Sequence, residues 1–416
     1  LLCALLCAAF LRPAPAPVEP VSFDSARDIL TAALDYDAGT RTLRGKQTMT
    51  LTNRSDAPRG EIVLRAYMNA FDEDAVAITD VRVDGRSVRF SWDDGDRTTL
   101  RIEESWAAGR TLELSFTLMI KHAKTDGAAV VTLPQTAMHE EGAWRTDAYT
   151  GLEDAGYAQP FDFAVHVDGE IAVQMESARD ASFVLGGIRR EKTIGGVRVT
   201  AVSGSGGDAR QLLGGAKDAL ASLEAAGFAY PFETLTIVRA HTGLPDGAAY
   251  SGMIVLPDEA DGEENLRRMT RLIAGETFGV LVESDPWNAP WLSVSLASCA
   301  EMLAFRERKG AAAYETRFFE ELEPATRLTR PAGVCVGAGT AHFGSGGEMT
   351  QVLRDQGAVM LLGIEQAAGS DAFAAAIKAY IAACAGQTGT RAALERALLH
   401  ATGSSWSGYL TDMLLQ

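Results

Sequence analysis

The chain has 416 residues, 47% of them hydrophobic and 22% charged, enough for two or three domains with cores of their own. Lys and Arg number 38 against 55 Asp and Glu, a formal net charge of -17. So acidic a chain excludes nucleic acid and anionic membrane surfaces as natural partners, and the charge serves solubility.

Residues 1–11 form an apolar run without charge, followed by Arg12 and Pro13-Ala-Pro-Ala-Pro17. The run is short for a membrane span and reads as the apolar part of a secretory signal. Cys7, in Ala4-Leu-Leu-Cys7, is a weak match to a lipid-attachment site, and a cleaved signal peptide is the favoured reading. Either way an exported, extracytoplasmic protein is expected, secreted or membrane-anchored, with membrane contact only through an N-terminal anchor. Residues 1–21 are therefore set apart as leader remnant and Pro-rich linker. Of the five cysteines, Cys3 and Cys7 belong to this leader. Cys299, Cys335 and Cys384 are widely spaced without a Cys-x-x-Cys pair, so buried free thiols are expected.

From residue 22 to 202 the pattern is strand-like. Thr48-Met-Thr-Leu-Thr52, Val81-Arg-Val83, Thr99-Leu-Arg-Ile102 and Thr111-Leu-Glu-Leu-Ser-Phe116 alternate, separated by turn signals such as Val83-Asp-Gly85 and Asp94-Gly95-Asp96. An antiparallel β-domain follows from this. Ser203-Gly-Ser-Gly-Gly207 marks a boundary, and Asp208 is a candidate cap for a helix striped by Leu213, Ala216, Leu220 and Leu223. Leu235-Thr-Ile-Val238 and Gly252-Met-Ile-Val-Leu256 read as strands, and from residue 263 the chain is mainly helical. The fold class is α+β, with residues 22–202 as the antiparallel β-domain and residues 203–416 as a small mixed sheet followed by helices.

Several motifs together resemble the aminopeptidase N family of zinc metallopeptidases (gluzincins), in its short exported bacterial form. Leu34-Asp-Tyr-Asp-Ala-Gly-Thr-Arg-Thr-Leu-Arg-Gly45 is similar to the family's opening hairpin. Arg65-Ala-Tyr-Met-Asn-Ala-Phe71 resembles a Leu-Tyr-Pro-Asn-Ala-Phe-type strand, and Phe228-Ala-Tyr-Pro-Phe232 a Gly-Pro-Tyr-Pro-Tyr segment. Asp285-Pro-Trp-Asn-Ala-Pro-Trp-Leu292 matches best. The likeness runs from about residue 22 to the C-terminus and implies a thermolysin-like, mostly helical second domain, without the large C-terminal helical domain of long members.

The same resemblance implies a degenerate site. In the family, His-Glu-x-x-His on a helix supplies two zinc ligands and a general base. The matching frame is Gly275-Glu276-Thr277-Phe278-Gly279, in which only the base, Glu276, remains. The third ligand, a Glu in a Trp-Leu-Asp-Glu-Gly-type run, aligns with Val294. Only 14 residues separate Gly279 from Val294, which implies a short deletion and loosens the register at Gly279. The Glu that anchors a substrate amine aligns with Ala249, and the transition-state Tyr with Arg354. Gly and Val coordinate no metal, and without one Glu276 has no activated water to serve. No cofactor is therefore expected, although the family uses zinc. A rebuilt site from His241, His342 and Glu276 is the alternative; the six histidines include no helical i, i+4 pair.

Glu276 falls on the apolar face of Leu266, Met269, Ile273 and Val280, so burial and a raised pKa are expected. Arg354 is the first candidate to pair with it. The other reading makes Glu276 a relic base or a contact to bound peptide. Gly275 and Gly279 leave room for a ligand, or for a packed helix; the two stay open. Trp287 and Trp291 flank Pro290 and are cleft candidates, though such aromatics are usually core; Tyr250, after Ala249, is a further cleft candidate. No Gly-x-Ser-x-Gly elbow, phosphate loop or dinucleotide fingerprint is present, and Cys299 is expected to pack rather than react. The function expected is a catalytically inactive, aminopeptidase-like protein that binds a peptide or a protein partner in a vestigial cleft. The alternatives are an active zinc metallopeptidase with a non-standard ligand set, and a structural surface protein without a ligand.

Overall fold

A computed structural model describes residues 23, 26–93, 95–121, 127–151, 156–240, 246–257, 262–327 and 330–415. The leader, its cysteines and His241 lie outside the described residues.

Alternation builds the first part. In the strand Thr111–Lys121, Leu112, Leu114, Phe116, Leu118 and Ile120 are buried while Thr111, Glu113 and Thr117 face solvent. This strand pairs antiparallel with Thr42–Thr52, setting Leu114 opposite Met49 and Leu112 opposite Leu51. Seven strands form the sheet, in the order Glu170–Ala178, Phe161–Val167, Asp28–Asp37, Thr42–Thr52, Thr111–Lys121, Val76–Val83, Arg86–Ser87. The Asp84-Gly85 turn expected between the last two is present. Both residues have left-handed backbones, φ 48° and 75°, which match the twist of a tight hairpin. One pair departs from the antiparallel expectation: Asp28–Asp37 runs parallel to Phe161–Val167, because the chain leaves this sheet and returns to its edge much later. A second sheet, Gln135–Thr136, Ile62–Arg65, Asp96–Ile102 and Phe90–Asp93, packs on the first. Leu64, Leu100, Ile102 and Trp106 meet Leu30, Leu43, Leu51 and Phe116 in the core between them.

The second part is a five-stranded mixed sheet in the order Ile188–Ile194, Val197–Ser203, Thr234–Arg239, Met253–Leu256, Ala248–Tyr250. Its first two strands precede the boundary expected at Ser203. By pairing they belong to the second sheet, since Val197–Ser203 runs parallel to Thr234–Arg239. The Gly-rich loop is thus a strand-to-helix connection. It ends in the helix Gly206–Ala225, capped by the Ser205 hydroxyl, which accepts from the Asp208 amide at 3.1 Å. The cap expected at Asp208 moves three residues upstream, and Asp208 lies in the first turn, where its charge favours the helix dipole. Leu212, Ala216, Ala219, Leu220 and Leu223 bury against the sheet.

Helices then pack over the sheet. Gly262–Gly275 continues into a π-helical turn, Glu276–Leu281, and after a short loop into Trp291–Lys309. The short helix Gly346–Gln351 likewise passes through a π-helical turn, Val352–Gln356, into Gly357–Ala368. Helices Ser370–Cys384, Arg391–Thr402 and Ser407–Leu414 complete the chain. Trp291–Lys309 and Gly357–Ala368 touch closely. A Cβ on Gly357 would sit 2.0 Å from the Ser295 Oγ, and that hydroxyl donates to the Leu353 carbonyl at 2.8 Å. The contact fixes Val294 and Arg354, each one residue from those partners, on facing elements.

The two parts meet through buried polar contacts. Arg179 and Glu283, each 1% exposed, form an ion pair. Arg179 also donates to the Ala158 carbonyl at 2.9 Å. The Ser251 hydroxyl accepts from the Arg179 amide at 2.9 Å, and the Ser251 amide donates to Asp180 at 2.7 Å. Trp287 donates from its indole to the Ala148 carbonyl at 2.9 Å, and Arg145 pairs with Asp285 at 3.0 Å.

Candidate functional site

A cavity of about 500 Å³ opens between the sheet edge and the helices. The strand Ala248–Tyr250 gives it Ala248 and Ala249, and the helix Gly262–Gly275 gives Arg271, Leu272 and Gly275. Val294 and Ala297 come from Trp291–Lys309, and Met349, Thr350, Arg354 and Asp355 from the opposite helical segment. Thr150 and Gly151 reach in from the β-domain. The structure therefore brings Ala249, Gly275, Val294 and Arg354, scattered over more than 100 residues, to one wall-to-wall space. The walls are mostly small and apolar, and the charges collect at one end.

Those charges are partnered. Arg354 donates from Nε to Asp355 at 2.8 Å and from Nη1 to Asp246 at 3.4 Å. Asp246 also has Arg271 at 3.2 Å and Arg268 at 3.8 Å on the same oxygen. Burial opposes the charge on both arginines. On Arg354 the two aspartates win and hold its pKa above the ordinary value; on Arg271 burial wins and lowers it, Asp246 opposing.

Glu276 is not in this cavity. It begins the π-helical turn, is fully buried, and points to the phenol of Tyr230, whose Oη lies 2.7 Å from Oε2. The expected ion pair with Arg354 is corrected: Arg354 is engaged by Asp246 and Asp355, and Glu276 turns toward the sheet side of its helix. Burial pushes the Glu276 carboxyl well above its usual range; the Tyr230 hydrogen bond only partly offsets this, and the Asp180 charge adds to it. Proton count points the same way. Tyr230 has one hydroxyl proton but two acceptors in reach, Glu276 at 2.7 Å and the Thr234 carbonyl at 3.1 Å. A protonated Glu276 donates to the phenol oxygen, and the phenol then donates to Thr234, so both contacts are satisfied. Glu276 is thus a buried acid whose surroundings favour its neutral form.

Gly279 is buried within the π-helical turn and does not line the cavity. Trp291, 3% exposed, packs in the main core, and Trp287 packs edge-on to Tyr157 at 4.9 Å beside Met138. Tyr250 is half-buried against Val202, Val238 and Val255. None of these three aromatics lines the cavity, which differs from their assignment to a cleft; large aromatic surface is more stable in a core than on a cavity wall. His342 is exposed and lies outside the cavity. Among the described residues no three His, Cys, Asp or Glu side chains are grouped as a metal site would need. At the cavity, Gly275, Val294 and Ala249 carry no donor atom, and Asp246 and Asp355 are tied to arginines. The residues present do not fit a zinc ion.

Sequence reasoning missed Tyr230, Arg271, Asp246 and Asp355. Tyr230 sits inside the Phe228–Phe232 motif and Asp246 opens the run that holds Ala249. Arg267, Arg268 and Arg271 fall on one helical side, a repeat of cations that signals a cluster.

No family model matches the chain, and no curated protein matches it. Solved structures do. The M1 zinc metallopeptidase of Deinococcus radiodurans superposes with a TM-score of 0.65 at 15% identity, over 93% of both chains. A variant of it with a bound Tyr-Ser-Ala substrate gives 0.64 at 16%, over 94% of both chains. A two-domain M1 zinc metallopeptidase variant bound to L-arginine gives 0.66 at 17%, over 94% of this chain and 93% of that one. The architecture is similar to that of these M1 zinc metallopeptidases. At this identity the likeness defines the fold alone, over nearly the whole of both chains.

Proposed function

We propose that this chain is a catalytically inactive aminopeptidase-like protein that uses the former active-site cavity to bind a peptide or a segment of a protein partner. The observation that carries the reading is the convergence of Ala249, Gly275, Val294 and Arg354 on one cavity. By the family resemblance these positions held an amine anchor, two zinc ligands and a transition-state donor. They now offer small apolar surface and an arginine already paired. Metal-assisted hydrolysis needs a ligand set and an activated water, and this donor set supplies neither. Glu276, fully buried and hydrogen-bonded to the Tyr230 phenol, serves the fold rather than a water.

Binding in the cavity is supported by its size and its largely apolar walls, the usual character of a small-ligand or side-chain pocket. Two π-helical turns, Glu276–Leu281 and Val352–Gln356, adjoin it. Such turns are frequent at functional sites, and a third, Phe318–Leu322, lies away from the cavity. The apolar run at residues 1–11 supports export, and the net charge of -17 supports partners other than nucleic acid. The test is a peptide-library binding screen with the wild-type chain and with Ala249→Trp, which fills the cavity. Peptides are expected to bind the wild type and to lose at least about tenfold in affinity to the variant, the loss of a pocket anchor. Equal binding by both, or none by either, rejects the cavity as the site.

A further inference from the structure

The β-domain carries a second, larger cavity of about 1050 Å³, between the loop of residues 54–60 and the hairpin of residues 139–144. Trp106, 2% exposed, forms its floor and Trp144 one wall. The guanidinium of Arg59 lies between these indoles, 5.4 Å from the Trp106 ring centre and 4.9 Å from that of Trp144. His139 meets Trp144 edge-on at 4.9 Å.

The rings hold Arg59 but accept none of its strong hydrogen bonds. Its side chain has no ion pair or hydrogen bond among the described residues. Its Nε–H is buried without an acceptor, and so is the Nε1–H of Trp106 beside it. The nearby acids are engaged elsewhere: Asp28 holds Arg54 at 2.6 Å and Glu61 holds Arg101 at 2.7 Å. Asp56, Glu103 and Glu141 are exposed at the rim. Burial lowers the Arg59 pKa, only partly offset by Asp28. Burial and the Arg59 charge lower that of His139.

We propose that this groove binds a ligand through an oxyanion, a carboxylate or a phosphate, seated on the terminal nitrogens of the Arg59 guanidinium between the Trp106 and Trp144 rings. The Arg59 guanidinium lines the groove as a cation without an ion pair or hydrogen bond among the described residues, and donors left without an acceptor are destabilising. An oxyanion accepts several N–H bonds at once, and the planar guanidinium fork suits its two oxygens. The site is separate from the peptide cavity and does not depend on it.

Tryptophan emission reads the site directly, since both flanking rings are indoles. The intact chain is titrated with sodium phosphate and, separately, with sodium succinate, each against sodium chloride at equal ionic strength. At least one oxyanion is expected to give a saturable change. Its apparent Kd should rise at least about tenfold in Arg59→Gln, with Arg59→Lys between, because charge without the fork is a weaker anchor. A response to succinate alone assigns a carboxylate ligand, and a response to phosphate alone a phosphate. The proposal is overturned if neither salt exceeds sodium chloride, or if Arg59→Gln titrates like the wild type. Should Arg59→Gln not fold, an affinity in Arg59→Lys equal to that of the wild type overturns it equally.

Discussion

Replacing Arg179 by Met is expected to lower the stability of the chain by about 3–5 kcal/mol, as breaking a buried ion pair does. Arg179 and Glu283 are each 1% exposed; burial opposes the Glu283 charge, and the Arg179 guanidinium in direct contact with it favours that charge. Without the cation, Glu283 either remains charged in a dry interior or takes up a proton. The Arg179 backbone amide still reaches Ser251, so the side-chain term is what the substitution isolates. The double variant Arg179→Met with Glu283→Gln removes both charges and is expected to recover most of the loss. Urea denaturation of the wild type, both single variants and the double variant measures the coupling. Strictly additive losses would mean that the pair does not hold the two parts together.

Glu276→Gln is expected to change how stability depends on pH. The folded pKa of Glu276 lies above its unfolded value, so between the two the folded chain holds a proton that the unfolded chain has released. The contribution of Glu276 is therefore fully present below the unfolded pKa. It declines as pH rises toward the folded pKa, by up to about 1.4 kcal/mol per pH unit. Gln is neutral throughout and donates to the Tyr230 oxygen as the protonated acid does. The variant should match the wild type below the unfolded pKa of Glu276 and exceed it increasingly as pH rises above that value toward the folded one. Tyr230→Phe, which removes the shared phenol, should destabilise both chains by about 1–3 kcal/mol. Parallel pH profiles for wild type and Glu276→Gln would show that Glu276 is ionised in the folded chain, contrary to its environment here.

Much of the architecture was legible because one-sided burial imposes a period of two on a strand, and Thr111–Lys121 shows this plainly. Long-range pairing has no such signature. The parallel pairing of Asp28–Asp37 with Phe161–Val167 joins segments far apart in sequence. The strand Val197–Ser203 begins with the alternation of the first domain, yet with Ile188–Ile194 it pairs into the second sheet. Ser205 and Asp208 are both good caps, and two intervening glycines, weak helix formers, hid the earlier start.

The cavity was legible as positions, because the motifs that resemble the aminopeptidase family occur in order along the chain. The partner of Glu276 was not. A regular helix repeats its faces every 3.6 residues, whereas the π-helical turn at Glu276–Leu281 widens the repeat and redirects its side chains. Its partner Tyr230 is 46 residues away, on the segment before the strand Thr234–Arg239. Arg354 was a reasonable cation by charge alone, but Asp355 is its neighbour in sequence and Asp246 faces it across the cavity. Trp287 and Trp291 followed the commoner fate of large aromatics and went into cores.

Metal content tests the central claim most directly. The purified chain is incubated with excess zinc, dialysed exhaustively, and its metal measured by mass spectrometry, with aminopeptidase turnover assayed on the same sample with and without chelator. A cavity walled by Gly275, Val294 and Ala249 predicts zinc far below one equivalent per chain and no chelator-sensitive turnover. A full equivalent of retained zinc, with turnover that the chelator abolishes, would contradict the account.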